Sequence, residues 1–194
     1  MQEIIFATSN HGKVKTLSRR LDNKKYKILQ KELDIPEIQA NSAREIAAFK
    51  AEYAYQKINQ PTIVQDSSFH IHALKGFPGP YIKFANETIG PYGLTKLMEG
   101  TEDRSCHFEL ALAYADGHGV RTFVYETQPG TLAKSVYEEN SENAWSSLWK
   151  IYTPHGYKKV LAALSTEELK HMEASGENHS EFAQFIRWLE KQVS

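Results

Sequence analysis

The pattern of apolar and polar positions opens on four apolar residues in succession, Ile4-Ile5-Phe6-Ala7, which read as a short buried strand. A polar run, Thr8-Ser9-Asn10-His11-Gly12-Lys13, follows, with Asn10 placed to cap a helix over Lys13–Leu21. Tyr26–Gln30 reads as a second short strand. Ser42 is placed to cap a helix over Ala43–Ile58, in which Ile46, Phe49, Lys50, Tyr53, Ala54 and Ile58 recur at helical spacing, and Asn59-Gln60-Pro61 stops it. Thr62–Gln65 is predicted as a strand, Phe69–Leu74 as another, and Lys75–Pro80 as a loop. A short helical stretch runs from Pro91 to Glu99. The clearest signal is a hairpin: two β-rich segments, Ser105–Ala115 and Val120–Glu126, joined by Asp116-Gly117-His118-Gly119. Glu138–Ser147 is polar and reads as loop. Two helices close the chain, Thr166–Ala174 and Glu181–Gln192, the second with Phe182, Phe185, Ile186 and Leu189 on one face.

Strands and helices alternate in the first half and a long hairpin occupies the second, which predicts an α/β fold with a mixed sheet rather than a strictly parallel one. No linker or repeat divides the chain, so residues 1–194 are expected to form a single domain. Composition agrees: 41% hydrophobic and 24% charged residues suit a packed soluble core. A formal net charge of −1 gives no electrostatic reason to expect a nucleic-acid or membrane partner. Cys106 is the single cysteine, so an intramolecular disulfide is impossible and a reducing compartment is suited. No apolar run approaches a bilayer span and no leader is visible, so the expected location is cytoplasmic.

Five groups of residues could carry chemistry. Hydroxyl, amide and glycine at the turn Thr8–Lys13 leave backbone N–H groups free at a helix N-terminus, and Lys13 adds a full charge, so the turn is either an anion cradle or an ordinary capped turn. Glu45 sits in the first turn of its helix with Lys50 five residues on; the pair could face a ligand or only solvent. Asp66, in Gln65-Asp66-Ser67, is expected just past a buried strand at the carboxyl end of the sheet, where it could hold Mg²⁺. His70-Ile71-His72 places two imidazoles on one face without an evident third metal ligand. Trp145, Trp149, Tyr152 and Tyr157 could stack on a nucleobase or fill the core.

Taken in order, these segments resemble a known family. ATSN..K, then REIAAFKA, IVQDSS and ALKGFPGPYIKF resemble the Ham1 family, the inosine triphosphate pyrophosphatases. GPYGLTKLMEG, the hairpin with Ala115-Asp116-Gly117 at its tip and Tyr152-Thr153-Pro154-His155-Gly156-Tyr157 are also similar to it. The resemblance implies an elongated mixed sheet flanked by helices, two lobes around a central cleft, and a homodimer. It implies Mg²⁺-dependent hydrolysis of the α–β phosphate bond of non-standard purine nucleotides (ITP, XTP, dITP) to monophosphate and pyrophosphate. By position, Thr8, Ser9, Asn10 and Lys13 would bind the triphosphate, with Lys50 and Ser67 as further substrate contacts. Glu45 and Asp66 would hold the metal, and Asp66, with Lys13, would serve catalysis.

The sequence departs from the family pattern at three places. The acidic pair is Gln65-Asp66, its first carboxylate replaced by an amide. The segment that helps hold the base aligns with Ser146-Ser147-Leu148-Trp149-Lys150, putting Trp149 where the family has an aspartate. Of the terminal block that reads the 6-oxo edge of the purine, only Asn178-His179-Ser180 echoes the family's Ser-His-Arg, leaving His179 as its candidate base contact. A phosphate and metal half kept beside a rewritten base-reading half implies shifted or relaxed base preference. The alternatives are a family member that binds nucleotides without efficient hydrolysis, or a pyrophosphatase for another nucleotide class.

Overall fold

The computed structural model describes residues 2–21, 24–139, 144, 146–176 and 179–192. Its strands are β1 (Gln2–Ala7), β2 (Tyr26–Lys31), β3 (Thr62–Ile71), β4 (Pro78–Gly79), β5 (Ser105–Asp116), β6 (Gly119–Glu126), β7 (Gly130–Leu132) and β8 (Tyr152–Thr153). Its α-helices are α1 (His11–Arg20), α2 (Ala43–Ile58), α3 (Ile82–Thr88), α4 (Gly90–Leu97), α5 (Thr166–Gly176) and α6 (Glu181–Lys191). The strands hydrogen-bond in the order β2-β1-β3-β5-β7-β8, with β4 on β3 and β6 on β5. β1 runs parallel to β2 and β3, whereas β3–β4, β5–β7 and β7–β8 are antiparallel. The sheet is therefore open and mixed, flanked by helices, as the alternation of elements predicts.

The chain forms two compact units. The first comprises Met1–Ser67, Leu110–Tyr125 and Asn178–Ser194; the second comprises Ser68–Glu109 and Glu126–Glu177. In the first, Ile4, Phe6, Leu17, Ile63, Leu112 and Phe185 are fully buried. The apolar face of α6 read from the sequence is here: Phe182, Phe185 and Leu189 are buried, and Phe185 packs near Tyr114 and Phe123. A second cluster is made mostly of alanine. Ala43, Ala47, Ala51 and Ala54 of α2 lie with Ala7, Ala111, Ala113 and Ala115 of the sheet. Phe49 and Tyr53, which share the helical spacing with Ile46 and Ala54, are half-buried and stacked on each other at 6.1 Å. Alanine costs no side-chain entropy on burial and lets a helix approach a sheet closely, so the small residues take the inner face.

The second unit buries Phe69, Ile71, Leu94, Met98, Cys106, Leu132 and Ile151. Burial pushes the Cys106 thiol up to about 12, which leaves it a packing residue. Arg104 is buried too, because its guanidinium donates to three carbonyls: Leu132 at 2.8 Å, Met98 at 2.7 Å and Ala133 at 2.7 Å.

Three sequence expectations need correction. The two strands predicted at Thr62–Gln65 and Phe69–Leu74 are one strand, β3; its polar centre, Gln65-Asp66-Ser67-Ser68, does not interrupt it. Lys75–Pro80 is not all loop, since Pro78 and Gly79 pair with His70 and Phe69. The helix α3 is absent from the sequence reading because its N-cap residue, Tyr81, makes no side-chain capping bond to announce it. The hairpin holds: a two-residue connection between paired strands makes β5 and β6 antiparallel.

Candidate active site

The turn after β1 is held by its own side chains. Asn10 caps α1: its Oδ1 accepts the Lys13 N–H at 3.2 Å, and its own N–H donates to Thr8 Oγ1 at 3.1 Å. Gln30 of β2 donates from Nε2 to the Thr8 carbonyl at 2.9 Å. Ser9 is exposed at the tip. A cavity of about 340 Å³ opens beside the turn, lined by Ala7, Thr8, Ser9, Glu32, Leu33 and Asp34.

Two lysines from two helices converge on the middle of β3. β1 pairs with β3 only at Ile5–Thr62 and Phe6–Ile63, so Asp66 runs on past the end of β1, beside the start of α1. Asp66 thus lies within its own strand, not after it as the sequence suggested. It still sits beyond the carboxyl end of a neighbouring parallel strand, where α/β sheets bind ligands. Lys50 of α2 donates to Asp66 Oδ2 at 2.7 Å and to Glu37 at 2.9 Å. Asp66 Oδ1 accepts the Ser67 N–H at 2.8 Å. Lys13 of α1 donates to the Gln65 carbonyl at 3.3 Å.

The two ammonium groups differ in character. For Lys50, burial pulls the pKa down, but the charges and hydrogen bonds of Asp66 and Glu37 more than reverse it, leaving it raised. For Lys13, burial dominates and the pKa falls, against the opposing pull of Asp66 and Glu181. Lys50 is a firmly charged strut; Lys13 is a cation held where its charge is poorly solvated, which suits a site that receives an anion.

Glu45 begins α2, whose cap Ser42 accepts the Glu45 N–H at 3.2 Å; its carboxylate is exposed and accepts the Asn41 N–H at 3.3 Å. The carboxylates of Glu45 and Asp66 are the donors that Mg²⁺ takes, and each oxygen has lone-pair capacity beyond the bonds just given. Among the described residues no group of three or more His, Cys, Asp or Glu converges to hold a metal. Mg²⁺ binds through one or two carboxylates completed by water and phosphate oxygens, so this donor set fits it.

One residue of the site was missed in the sequence. Glu181, at the start of α6, is 2% exposed and its Oε1 accepts from Gln65 Nε2. Nothing local signals this contact, because 116 positions separate the two residues. The only hint was the unexplained amide at position 65.

Trp149 belongs to the second unit, half-buried against its core, and Tyr152 is buried in that core. Trp145 and Asn178 lie outside the described residues. His179 is exposed, and its carbonyl accepts from Gln184 at 3.1 Å. His70 and His72 both meet a third imidazole, His107 of β5: His70 stacks on it at 5.0 Å, and His72 Nε2 lies 2.8 Å from its Nδ1. Ser105 Oγ is 2.8 Å from His72 Nδ1, and Ser68 Oγ is 2.8 Å from His70 Nε2. Ring stacking and hydrogen bonds account for the three.

The model of the Ham1 family matches residues 4–185. A dITP/XTP pyrophosphatase of Thermococcus kodakarensis is 30% identical over 184 residues, 95% of this chain and 97% of that one. One of Methanosarcina acetivorans is 32% identical over 193 residues, 97% of each. In fold, the chain is similar to a Ham1 protein of Staphylococcus aureus, with a TM-score of 0.78 at 22% identity over 98% of this chain and all of that one.

Proposed function

The chain belongs to the Ham1 family, and from that premise we propose that it is a Mg²⁺-dependent nucleoside triphosphate pyrophosphatase. It converts a non-standard purine nucleoside triphosphate and water to the monophosphate and pyrophosphate. The observation that carries this reading is the meeting of two lysines on adjacent residues of β3, Lys50 on the Asp66 carboxylate and Lys13 on the Gln65 carbonyl. A polyanion needs fixed positive charge around its phosphates and a carboxylate beside the attacking water, and those residues supply both. The curated relatives named dITP/XTP pyrophosphatase support the substrate class.

Within this reading the Thr8–Asn10 turn and the α1 N-terminus receive phosphate oxygens, with Ser9 and Ser67 offering hydroxyls. Lys13 faces the same anion. Asp66 orients the attacking water and accepts its proton, while Lys50 holds the carboxylate in place. Glu45 and Asp66 would hold Mg²⁺, which supplies neutralisation of the charge growing on the leaving pyrophosphate. His179 and Trp149 are the candidate base contacts, each open to its own substitution. The whole chain acts as one functional domain in the cytoplasm; among the described residues no helix is long and apolar enough to cross a membrane.

The test is turnover of purified protein with Mg²⁺ against ITP, XTP, dITP and the standard nucleotides, with products separated by chromatography. Monophosphate plus pyrophosphate from ITP or XTP, with little from ATP, is expected. Saturable binding without pyrophosphate release would instead make the chain a nucleotide-binding protein. The same function is proposed for a homodimer. Phe77, Tyr81, Phe84, Ile89, Tyr92 and Leu97 are exposed along one stretch of the second unit, and Phe84 is 68% exposed. Phe84→Asp should shift the sedimenting species to the monomer; an unshifted species removes this stretch from the interface.

A further inference from the structure

Glu181 is buried and Gln65 half-buried; the two side chains are in contact, and each keeps one buried atom unsatisfied. Gln65 donates from Nε2 to Glu181 Oε1. Gln65 Oε1 and Glu181 Oε2 are both buried, and they are the buried side-chain polar atoms left without a partner among the described residues. Two orphaned acceptors in one contacting pair are costly, because a buried acceptor left unpaired loses its bond to water with no return. One proton removes both defects. A carboxylic acid and a carboxamide each carry one donor and one acceptor on a planar head, so they can close on each other through two hydrogen bonds.

We propose that Glu181 carries a proton on Oε2 and donates it to Gln65 Oε1, closing a two-bonded acid–amide pair that acts as the positioning device of the site. The Gln65 backbone carbonyl receives Lys13, and Gln65 is the residue immediately before Asp66. Fixing the Gln65 side chain therefore fixes the strand segment to which both functional groups answer. The amide that stands where the family pattern has an acid gains its acid from α6. This positioning role rests on the proposed pyrophosphatase reading; the pair itself does not.

The charged surroundings agree. Burial pushes the Glu181 carboxyl up, against its own helix N–H, the Gln65 amide, Arg20 and Lys13, which all favour the charged form; burial prevails. Lys13 is itself lowered by burial, so this pocket penalises charge of either sign.

The experiment compares the full chain with Glu181→Gln and Glu181→Ala in three readouts. The first is thermal stability against pH. An unfolded glutamate titrates near 4.3, and a folded-state value raised above it makes the native state hold the proton longer. Stability from this group therefore falls as pH rises from about 4.3 towards the folded value. Glu181→Gln cannot titrate and keeps both hydrogen bonds, so its Tm should gain on the parent as pH rises. The second is infrared absorption: the parent should show a protonated carboxylic acid band that is absent from Glu181→Gln. The third is turnover. Glu181→Ala should lower kcat/KM by about tenfold or more, the scale of one lost buried hydrogen bond, and Glu181→Gln should rescue most of it. A Tm gap that does not widen with pH, or no acid band, overturns the pair. Failure of the glutamine variant to rescue turnover overturns the positioning role. A parent that turns over no nucleotide speaks against the proposed function, while the stability and infrared readouts still decide the pair.

Discussion

Lys50→Met isolates the lysine strut from the rest of the site. Methionine keeps most of the side-chain volume and removes the ammonium. In the structure that ammonium lies 2.7 Å from Asp66, with side-chain exposures of 13% and 20% for Lys50 and Asp66. The second partner, Glu37, is 62% exposed, so its share of the interaction is small. Hydrogen bonds to charged groups contribute about 1.5–3 kcal/mol, and the pair is too little exposed to be discounted to the surface value. If the whole of that is expressed in the transition state, kcat/KM should fall about 10- to 150-fold. Pyrophosphate release from ITP measures it, with circular dichroism confirming the fold. A stability cycle by urea denaturation across Lys50→Met, Asp66→Asn and the double variant should give a coupling of about 1.5–3 kcal/mol. Turnover within twofold of the parent would refute the strut's role. Coupling indistinguishable from zero would refute the pairing itself and leave Lys50 as a direct phosphate contact.

Lys13→Met should cut turnover by at least about 100-fold, as expected when an electrostatic group facing the reacting phosphates is lost, yet leave Tm no lower than the parent's. A lysine whose folded pKa is lowered costs stability at neutral pH, so removing it relieves the fold; a lower Tm in differential scanning fluorimetry would contradict this. His107 predicts acid sensitivity in the second unit. Burial, His70 and His72 lower its pKa, so its unfolded form gains the proton first, and stability should decline as pH falls below about 6.5. His107→Gln should flatten that decline in urea titrations at stepped pH; an unchanged slope would assign it to other groups.

Much of the first unit was legible because its signals are local. Asn10 and Ser42 cap helices that begin where their hydroxyl and amide groups predict, and Asp116–Gly119 turns a hairpin by its own composition. β3 reads as two strands because periodicity treats four polar residues as a break, whereas the four continue one strand and carry the candidate site. The inner face of α2 is hard to read from the sequence because alanine carries little hydrophobic signal beside Phe49 and Tyr53, although alanine packs closest. Lys50 and Asp66 could be named as separate candidates, but their contact depends on two elements meeting in space, which spacing along one chain does not encode.

The alanine cluster and the acid–amide pair explain each other's place in the site. A helix packed through Ala43, Ala47, Ala51 and Ala54 lies close enough to the sheet for Lys50 to span to Asp66 at 2.7 Å. Larger side chains on that face would hold the ammonium off the carboxylate. Lys13 donates to the Gln65 backbone carbonyl at 3.3 Å, so its direction depends on where Gln65 is held. The residue that holds Gln65 comes from α6, and α6 is anchored by Phe182, Phe185 and Leu189 in the core built on Ile4 and Phe6. Asp66 is therefore fixed from two sources: a short-range one within α2 and β3, and a long-range one that exists only once the C-terminal helix has docked. Docking of α6 thus completes the candidate active site as well as the core, and through Glu181 it gives the C-terminal helix a part in positioning the segment that carries Asp66.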